Sequence, residues 1–553
     1  MSLAGVPTLL PSPKLQRQRA FTALGAELFD VLVIGGGITG AGVARDAALR
    51  GLRVALVEQD DFASGTSSRS SRLIHGGVRY LEHGQIHMVF ESSRERRTLQ
   101  RIAPHLVRPL AFTWPVYRGS RVPRWKLEIG LALYDLLALF RNVGRHRRLD
   151  ARGVIAREPG LRQPGLVGGA QYWDAATDDV RLTLANVLSA QRAGAVVANH
   201  ARVEALLRDG DHISGARVVD VIAGRAVEVR ARVTVNATGP WSDRVEVLAH
   251  EGSVAGVRGS KGVHVSVPRS RLGNVAALTL VAPQDGRVMF VLPAGAFTII
   301  GTTDTFDDVP PEDVRAAEPD VAYLLAAANH YFPDAQLARA DVVSAWAGLR
   351  PLAAGQGSAG DPGSASREHS IATTMPGLVR VTGGKLTTYR AMAEEIVDVV
   401  QREGGFRRAE CSTALLPLEG GDLGNVTETI MEVTRTIGDP VVAEQLVHAY
   451  GSAWRAVWAL VAEDASLGTR VAPDRPYLLA ELQHGVTEEL ARTLGDLLIR
   501  RTPVAFETAD HGRTAARNVG GRVGTWLGWS EDETAGALAA YDAEVARLFT
   551  VGA

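Results

Sequence analysis

The residues with the clearest chemistry are Gly35, Gly37 and Gly40, spaced Gly-x-Gly-x-x-Gly, with Glu58 about twenty residues further on. Glycines at this spacing permit a tight turn and bring backbone close to a pyrophosphate. A helix starting there adds N–H groups and partial positive charge. A carboxylate at Glu58 accepts hydrogen bonds from both ribose hydroxyls and repels a 2′-phosphate, which argues against NADP. The same spelling recurs at Gly355, Gly357 and Gly360, without a buried strand before it, a helix after it or a matching acid, so it is set aside. One dinucleotide site fits either NAD meeting a substrate or FAD kept bound while substrates exchange.

The elements that must position this turn are legible around it. Phe29-Asp-Val-Leu-Val-Ile-Gly35 is an apolar run ending in glycine, as a buried parallel strand does. Residues 41–50 follow as a helix, and Leu52-Arg-Val-Ala-Leu-Val-Glu58 as a second buried strand. Residues 178–193 read as a helix, and short strands follow to about residue 235. Residues 256–350 read mainly as strands with a helix near 321–331, and residues 387–402 as a helix behind Gly383-Gly384. Residues 355–366 form a Gly/Ser/Ala-rich loop. Beyond residue 403 helical periodicity dominates.

The sequence after Glu58 favours FAD. Thr66-Ser-Ser-Arg-Ser-Ser71 is dense in hydroxyls, and His75-Gly-Gly-Val-Arg-Tyr80 is a glycine turn beside cationic and aromatic side chains. Val235-Asn-Ala-Thr-Gly239 is another strand ending in glycine, and Gly383-Gly384-Lys385 opens a helix. A helix N-terminus suits the electron-rich pyrimidine edge of a reduced flavin.

Composition sets the outer limits. At 553 residues the chain is too long for one core and suggests roughly three or four domains. With 46% hydrophobic and 22% charged residues it reads as folded, and a net charge of −1 gives no reason to expect nucleic acid. Cys411 is the only cysteine, so there is no internal disulfide, no Cys-based zinc or Fe–S site, and no metal is expected. Redox chemistry must then come from an organic cofactor. No stretch reaches the length of a membrane span, and residues 1–28 read as a Pro-containing tail rather than a secretory signal, which together predict a cytoplasmic protein.

Taken in order, these stretches resemble the FAD-dependent (aerobic) glycerol-3-phosphate dehydrogenases, relatives of the α-glycerophosphate oxidases. The most specific are Thr66-Ser-Ser-Arg-Ser-Ser-Arg-Leu-Ile-His-Gly-Gly-Val-Arg-Tyr-Leu-Glu82 and Gly383-Gly-Lys-Leu-Thr-Thr-Tyr-Arg390. Val235-Asn-Ala-Thr-Gly-Pro-Trp241, Lys261-Gly-Val-His264, Ile300-Gly-Thr-Thr-Asp304 and Gly348-Leu-Arg-Pro-Leu352 also match, and Leu498-Ile-Arg-Arg-Thr502 resembles the family's extra C-terminal domain more weakly. The resemblance implies an α/β fold: a Rossmann-type FAD-binding domain of the glutathione-reductase / amino-acid-oxidase type, an antiparallel-sheet substrate cap and a C-terminal helical domain. The expected division is a tail to residue 28, FAD-binding segments 29–105, 166–255 and 368–403, cap segments 106–165 and 256–367, and the helical domain at 404–553. Expected cofactor contacts are Gly35, Gly37, Gly40, Glu58, Thr66, Ser67, Ser68, Ser71, His75, Gly76, Gly77, Val203, Gly239, Gly384, Lys385, Leu386 and Thr387.

By match to the family's substrate site, Arg79, Arg350, Arg367 and Lys385 are the candidate phosphate cations. Arginine suits a phosphomonoester geometrically, and a carboxylate substrate would need fewer cations. Hydride transfer from C2 of glycerol 3-phosphate to the flavin also needs a base of near-neutral pKa for the hydroxyl proton; His264 is the first candidate, with Arg350 set to stabilise the developing alkoxide. The resemblance implies a quinone acceptor, with the oxidase branch's oxygen as the alternative. Residues 125–140 are strongly apolar and followed by Arg141, Arg145, Arg147 and Arg148, which reads either as a peripheral membrane helix or as a helix packed within the cap. The C-terminal domain is open to two roles, homodimer formation or a lid over the substrate entrance.

Overall fold

The computed structural model describes residues 12–78, 85–138, 143–250, 256–353 and 368–552. An eight-stranded sheet carries the glycine turn. Its parallel centre runs in the order Leu378–Thr382, Arg225–Asn236, Leu28–Ile34, Val54–Val57, Val196–Ala198. These strands are covered on both faces, which is why they read as unbroken apolar runs rather than as alternation. The helices Ile38–Leu49, Asp179–Arg192 and Tyr389–Glu403 pack together on one face around Val31, Val33, Ala44, Val187 and Val397.

The N-terminal segment departs from the expected tail. Pro13–Ala26 is a helix, with the Ser12 hydroxyl accepting from Leu15 N–H and a proline in its first turn. It buries only Phe21 and Leu24, so its polar sequence shows no helical periodicity, and Arg17 pins it by an ion pair to Asp220 at 2.7 Å.

A second, ten-stranded and mainly antiparallel sheet builds the cap. Val257–Pro268 sits between Phe297–Gly301 and Ser344–Ala353, and Val288–Ala294 continues the first of these as a hairpin. Leu166–Ala176 and Leu73–Ile74 also pair in this sheet, although the sequence grouped them with the first body. Helix Arg124–Leu137 packs near Leu166–Ala176, and Glu318–Tyr331 packs near Val257–Pro268.

The C-terminal region is helical from Val426–Ile437 to Glu531–Phe549. Buried ion pairs fasten it to the first body. Arg181 makes a two-pronged bridge to Glu489 at 2.9 and 2.7 Å. Asp61 accepts from Arg500 at 2.9 Å and from Arg501 at 2.6 Å. Breaking one partner of such a pair leaves a buried charge uncompensated, at a cost of about 3–5 kcal/mol, so these contacts fix the docking geometry. One hydrophobic core also runs from Trp346 of the cap into Phe506, Phe549 and the C-terminal helices.

Candidate active site

At the nucleotide end, Gly40 lies so close to the turn that a Cβ there would stand 1.9 Å from the Gly35 carbonyl oxygen. Only glycine allows helix Ile38–Leu49 to start this near the strand. Glu58 follows Val54–Val57 and accepts from Gly36 N–H at 2.6 Å and Asp60 N–H at 3.0 Å. Burial pushes its carboxyl up to about 7, against the pull of those two N–H groups.

The hydroxyl-rich stretch is held in place by protein partners. Thr66 Oγ1 donates to the Leu349 carbonyl of the cap at 2.6 Å, and Ser67 Oγ accepts from Ile38 N–H at 2.9 Å. Ser68 Oγ turns back to the Gly65 carbonyl at 3.2 Å, Ser70 donates to Asp179 at 2.7 Å, and Ser71 Oγ bonds His264 Nε2 at 2.8 Å. Thr66 and Ser71 thus tie the first body to the cap, whereas Ser67, Ser68 and Ser70 brace the first body itself, and Thr66, Ser67, Ser70 and Ser71 border the cavity. Thr387 Oγ1 in turn accepts from His75 N–H at 3.1 Å.

At the cap end, His264 occupies the middle of three strands, opposite Gly301 on one side and Trp346 on the other. A Cβ at Gly301 would meet the His264 ring at 2.2 Å, so the missing side chain leaves the space the imidazole fills. The other flank is Trp346, stacked at a ring-centroid distance of 5.6 Å and an interplanar angle of 14°. Arg350 is aimed by Asp304 at 3.0 Å and Thr302 Oγ1 at 3.3 Å, and the Ser260 hydroxyl bonds the same Asp304 oxygen. Burial, reinforced by the positive charges of Arg350 and Arg72, pushes the His264 imidazole down to about 3. That shift keeps the ring neutral.

A cavity of about 730 Å³ joins the two ends. Of the expected residues, Gly35, Gly37, Glu58, Thr66, Ser67, Ser71, His75, Gly77, Val203, Gly239, Gly384, Lys385, Leu386 and Thr387 line it from the first body, and His264 and Arg350 from the cap. Gly40, Ser68 and Gly76 do not line it. Gly40 serves the glycine turn, Ser68 bonds back to the Gly65 carbonyl, and the Gly76 N–H is taken by Tyr134 Oη and Asp174 Oδ1, each at 3.0 Å. Arg79 and Arg367 lie outside the described residues, as do residues 355–366 and the end of the apolar stretch at 139–140. Sequence reading missed Arg287, Thr302 and Asp304, which also line the cavity. The last two stood in the quoted Ile300-Gly-Thr-Thr-Asp304 stretch, whereas Arg287 carries no local signal. Lys261, beside His264 in sequence, turns away to Asp307 and Asp320 at 3.4 and 3.2 Å.

Known proteins fit this arrangement. A family model described as FAD dependent oxidoreductase matches residues 30–398, and one described as the C-terminal domain of alpha-glycerophosphate oxidase matches 411–534. A glycerol-3-phosphate dehydrogenase of Mycobacterium leprae is 40% identical over 96% of this chain and 90% of its own. The aerobic glycerol-3-phosphate dehydrogenase of Bacillus subtilis is 36% identical over 89% of this chain and 90% of its own. The structure of the glycerol-3-phosphate dehydrogenase from Bacillus halodurans complexed with FAD superposes with a TM-score of 0.81 at 32% identity, covering 97% of this chain and 98% of that one. The cofactor is FAD, and the cavity fits it: a glycine turn that admits no Cβ at Gly40, the Glu58 carboxylate beside that turn and lining from both bodies. On these grounds the chain belongs to the FAD-dependent glycerol-3-phosphate dehydrogenase family.

Proposed function

We propose that the protein oxidises sn-glycerol 3-phosphate to dihydroxyacetone phosphate and passes the electrons to a quinone. The observation that carries this reading is the neutral, buried His264 beside Arg350 in the cap wall of the cavity that also holds the glycine turn. FAD, when bound, supplies the acceptor for the C2 hydride. Gly35, Gly37 and the N-terminus of helix Ile38–Leu49 would hold the pyrophosphate, Glu58 the ribose, and Gly384, Lys385 and Leu386 the pyrimidine edge.

His264 takes the proton of the C2 hydroxyl at Nε2 through Ser71: the Ser71 hydroxyl, bonded to that nitrogen at 2.8 Å, passes its own proton to Nε2 and accepts the substrate's. Its depressed pKa keeps it in the accepting form. A phosphate dianion arriving near Arg350 offsets part of the positive field that lowers it, so basicity rises when substrate is present. Arg350, fixed by Asp304 and Thr302, stabilises the developing alkoxide without having to reorganise. Lys385 and Arg287 bring further positive charge to the cavity wall, and Arg79 and Arg367 are assigned to the phosphate by the family's pattern.

The quinone reading is supported by helix Arg124–Leu137. It buries Leu127, Leu131 and Tyr134 and exposes Trp125, Ile129 and Leu136 by 65, 62 and 51%. Arg147 and Arg148 are exposed beyond it. An apolar face with a basic flank suits peripheral contact with the inner face of the cytoplasmic membrane, where quinones reside. No described helix is long and apolar enough to cross a membrane.

Anaerobic mixing with glycerol 3-phosphate is expected to bleach the bound flavin, with glycerol and lactate inert. A flavin indifferent to the phosphorylated alcohol ends the reading. Reoxidation by a soluble quinone analogue is expected to outpace reoxidation by air; the reverse order assigns oxygen as acceptor. Flotation with anionic liposomes is expected for the native chain and not after Trp125→Glu together with Ile129→Glu.

A further inference from the structure

The C-terminal domain reaches the cap immediately behind His264. Phe506, on the short helix Val504–Glu507, meets Trp346 edge-on with centroids 5.3 Å apart and rings at 90°. Phe549 of the last helix backs Phe506 at 5.0 Å. All three rings are buried, Trp346 to 2% exposure, Phe506 to 6% and Phe549 to 4%. The Arg72 guanidinium lies against both inner rings, 5.0 Å from the Phe506 centroid and 5.9 Å from that of Trp346. Arg72 follows Ser71, the residue bonded to His264, and its backbone has a φ of 54°, a conformation rarely adopted by residues other than glycine.

From these contacts we infer that Phe506 is a positioning residue: the C-terminal domain clamps Trp346 and Arg72, and through them holds His264 and Ser71 in register with the substrate. The inference rests on the assignment of His264 as the base. His264 is exposed by 2%, with one ring face on Trp346 and Gly301 on its other side, so its ring plane follows that of Trp346. The Trp346 side chain is not held by hydrogen bonding, because its buried Nε1 has no partner among the described residues. Packing is then what fixes it, and the edge of Phe506 is its aromatic contact on the C-terminal side. The charges around this cluster are Arg72 and Arg350 on His264, with Asp179 at 3.7 Å from Arg72, Glu507 facing Arg72, and Asp304 facing Arg350. Loss of the clamp changes where Arg72 sits relative to the imidazole, and with it the proton affinity of the base.

The test is pre-steady-state reduction of the FAD-loaded protein by glycerol 3-phosphate, with and without deuterium at C2, across pH 5.5–9. For Phe506→Ala the limiting reduction rate is expected to fall roughly ten- to hundred-fold, because small displacements of a reacting group cost that much. The substrate dissociation constant is expected to stay within about twofold, and the pH profile to shift. Phe506→Tyr, which keeps the ring, is expected to restore most of the rate, and Trp346→Phe serves as a second probe should Phe506→Ala fold poorly. In a His264→Ala background, Phe506→Ala is expected to add nothing further. A slow His264→Ala beside wild-type rates and profiles for both Phe506→Ala and Trp346→Phe overturns the clamp while leaving the base in place. A wild-type rate for His264→Ala overturns the base assignment itself.

Discussion

The two ends of the cavity are built on different principles. The nucleotide end uses backbone: a glycine turn, a helix N-terminus and one carboxylate, all within residues 34–58 and carried by adjacent parallel strands. The cap end uses side chains set by strand register, His264 beside Trp346 and Gly301, with Arg350 aimed by Thr302 and Asp304, which follow the strand on the far side of Val257–Pro268. Backbone donors tolerate many neighbours, so the nucleotide end binds. A cross-strand constellation fixes individual atoms against one another, which suits the cap end to the proposed chemistry. The difference predicts that damage should separate: cap changes alter rate with the cofactor retained, and turn changes lose the cofactor.

The largest effect is expected for His264→Ala. Positioned acid–base groups contribute about 10²–10⁴-fold. Flavin reduction should slow by that order, with FAD content and phosphate affinity close to wild type; equal reduction rates in mutant and wild type would falsify the role. Next comes Arg350→Lys. A lysine keeps the charge but loses the forked geometry that Asp304 and Thr302 hold, and the loss of one preorganised donor costs about 10²–10³-fold at most. The limiting rate of reduction should fall more than the substrate dissociation constant rises. The converse change is Gly40→Ala, whose Cβ collides with backbone at 1.9 Å. Overpacking of this kind costs about 1–3 kcal/mol. Protein purified from this variant should carry less FAD and melt earlier, while the fraction that holds FAD reduces at a near-native rate.

The same contrast explains what the sequence disclosed. The turn, its flanking strands and Glu58 were legible because every part lies within one contiguous segment. His264 and Arg350 were reached only through resemblance, since nothing local says that strand Val257–Pro268 pairs with Ser344–Ala353 in the register that brings His264 against Trp346. Phe506 is further still, on another domain, and no periodicity points from it to the cap. The serine-rich stretch was read as a ligand shell because hydroxyls near a dinucleotide suggest one. In the fold, Thr66, Ser70 and Ser71 are engaged by Leu349, Asp179 and His264. The N-terminal helix was hidden by composition, since burying two residues leaves no apolar stripe.

The smallest expected effect sharpens the nucleotide end. Glu58 has a carboxyl pushed up to about 7 from an ordinary 4.5 by burial. A group whose folded pKa lies above its unfolded value binds protons more tightly when folded. Its contribution to folding stability is therefore complete below pH 4.5 and disappears as pH rises through 7. Ribose hydroxyls are donors and favour the carboxylate, so binding FAD releases this proton whenever it is present. FAD affinity should consequently increase from pH 6 to pH 8 by roughly tenfold or less, the limit for one proton over the unit below the pKa. In Glu58→Gln the affinity should be lower and the slope flat, because an amide accepts hydrogen bonds without titrating. Fluorescence titration of the apoprotein with FAD at these pH values measures both. A mutant slope as steep as wild type would move the titration to another group and leave Glu58 as a brace for the Gly36 and Asp60 N–H groups alone.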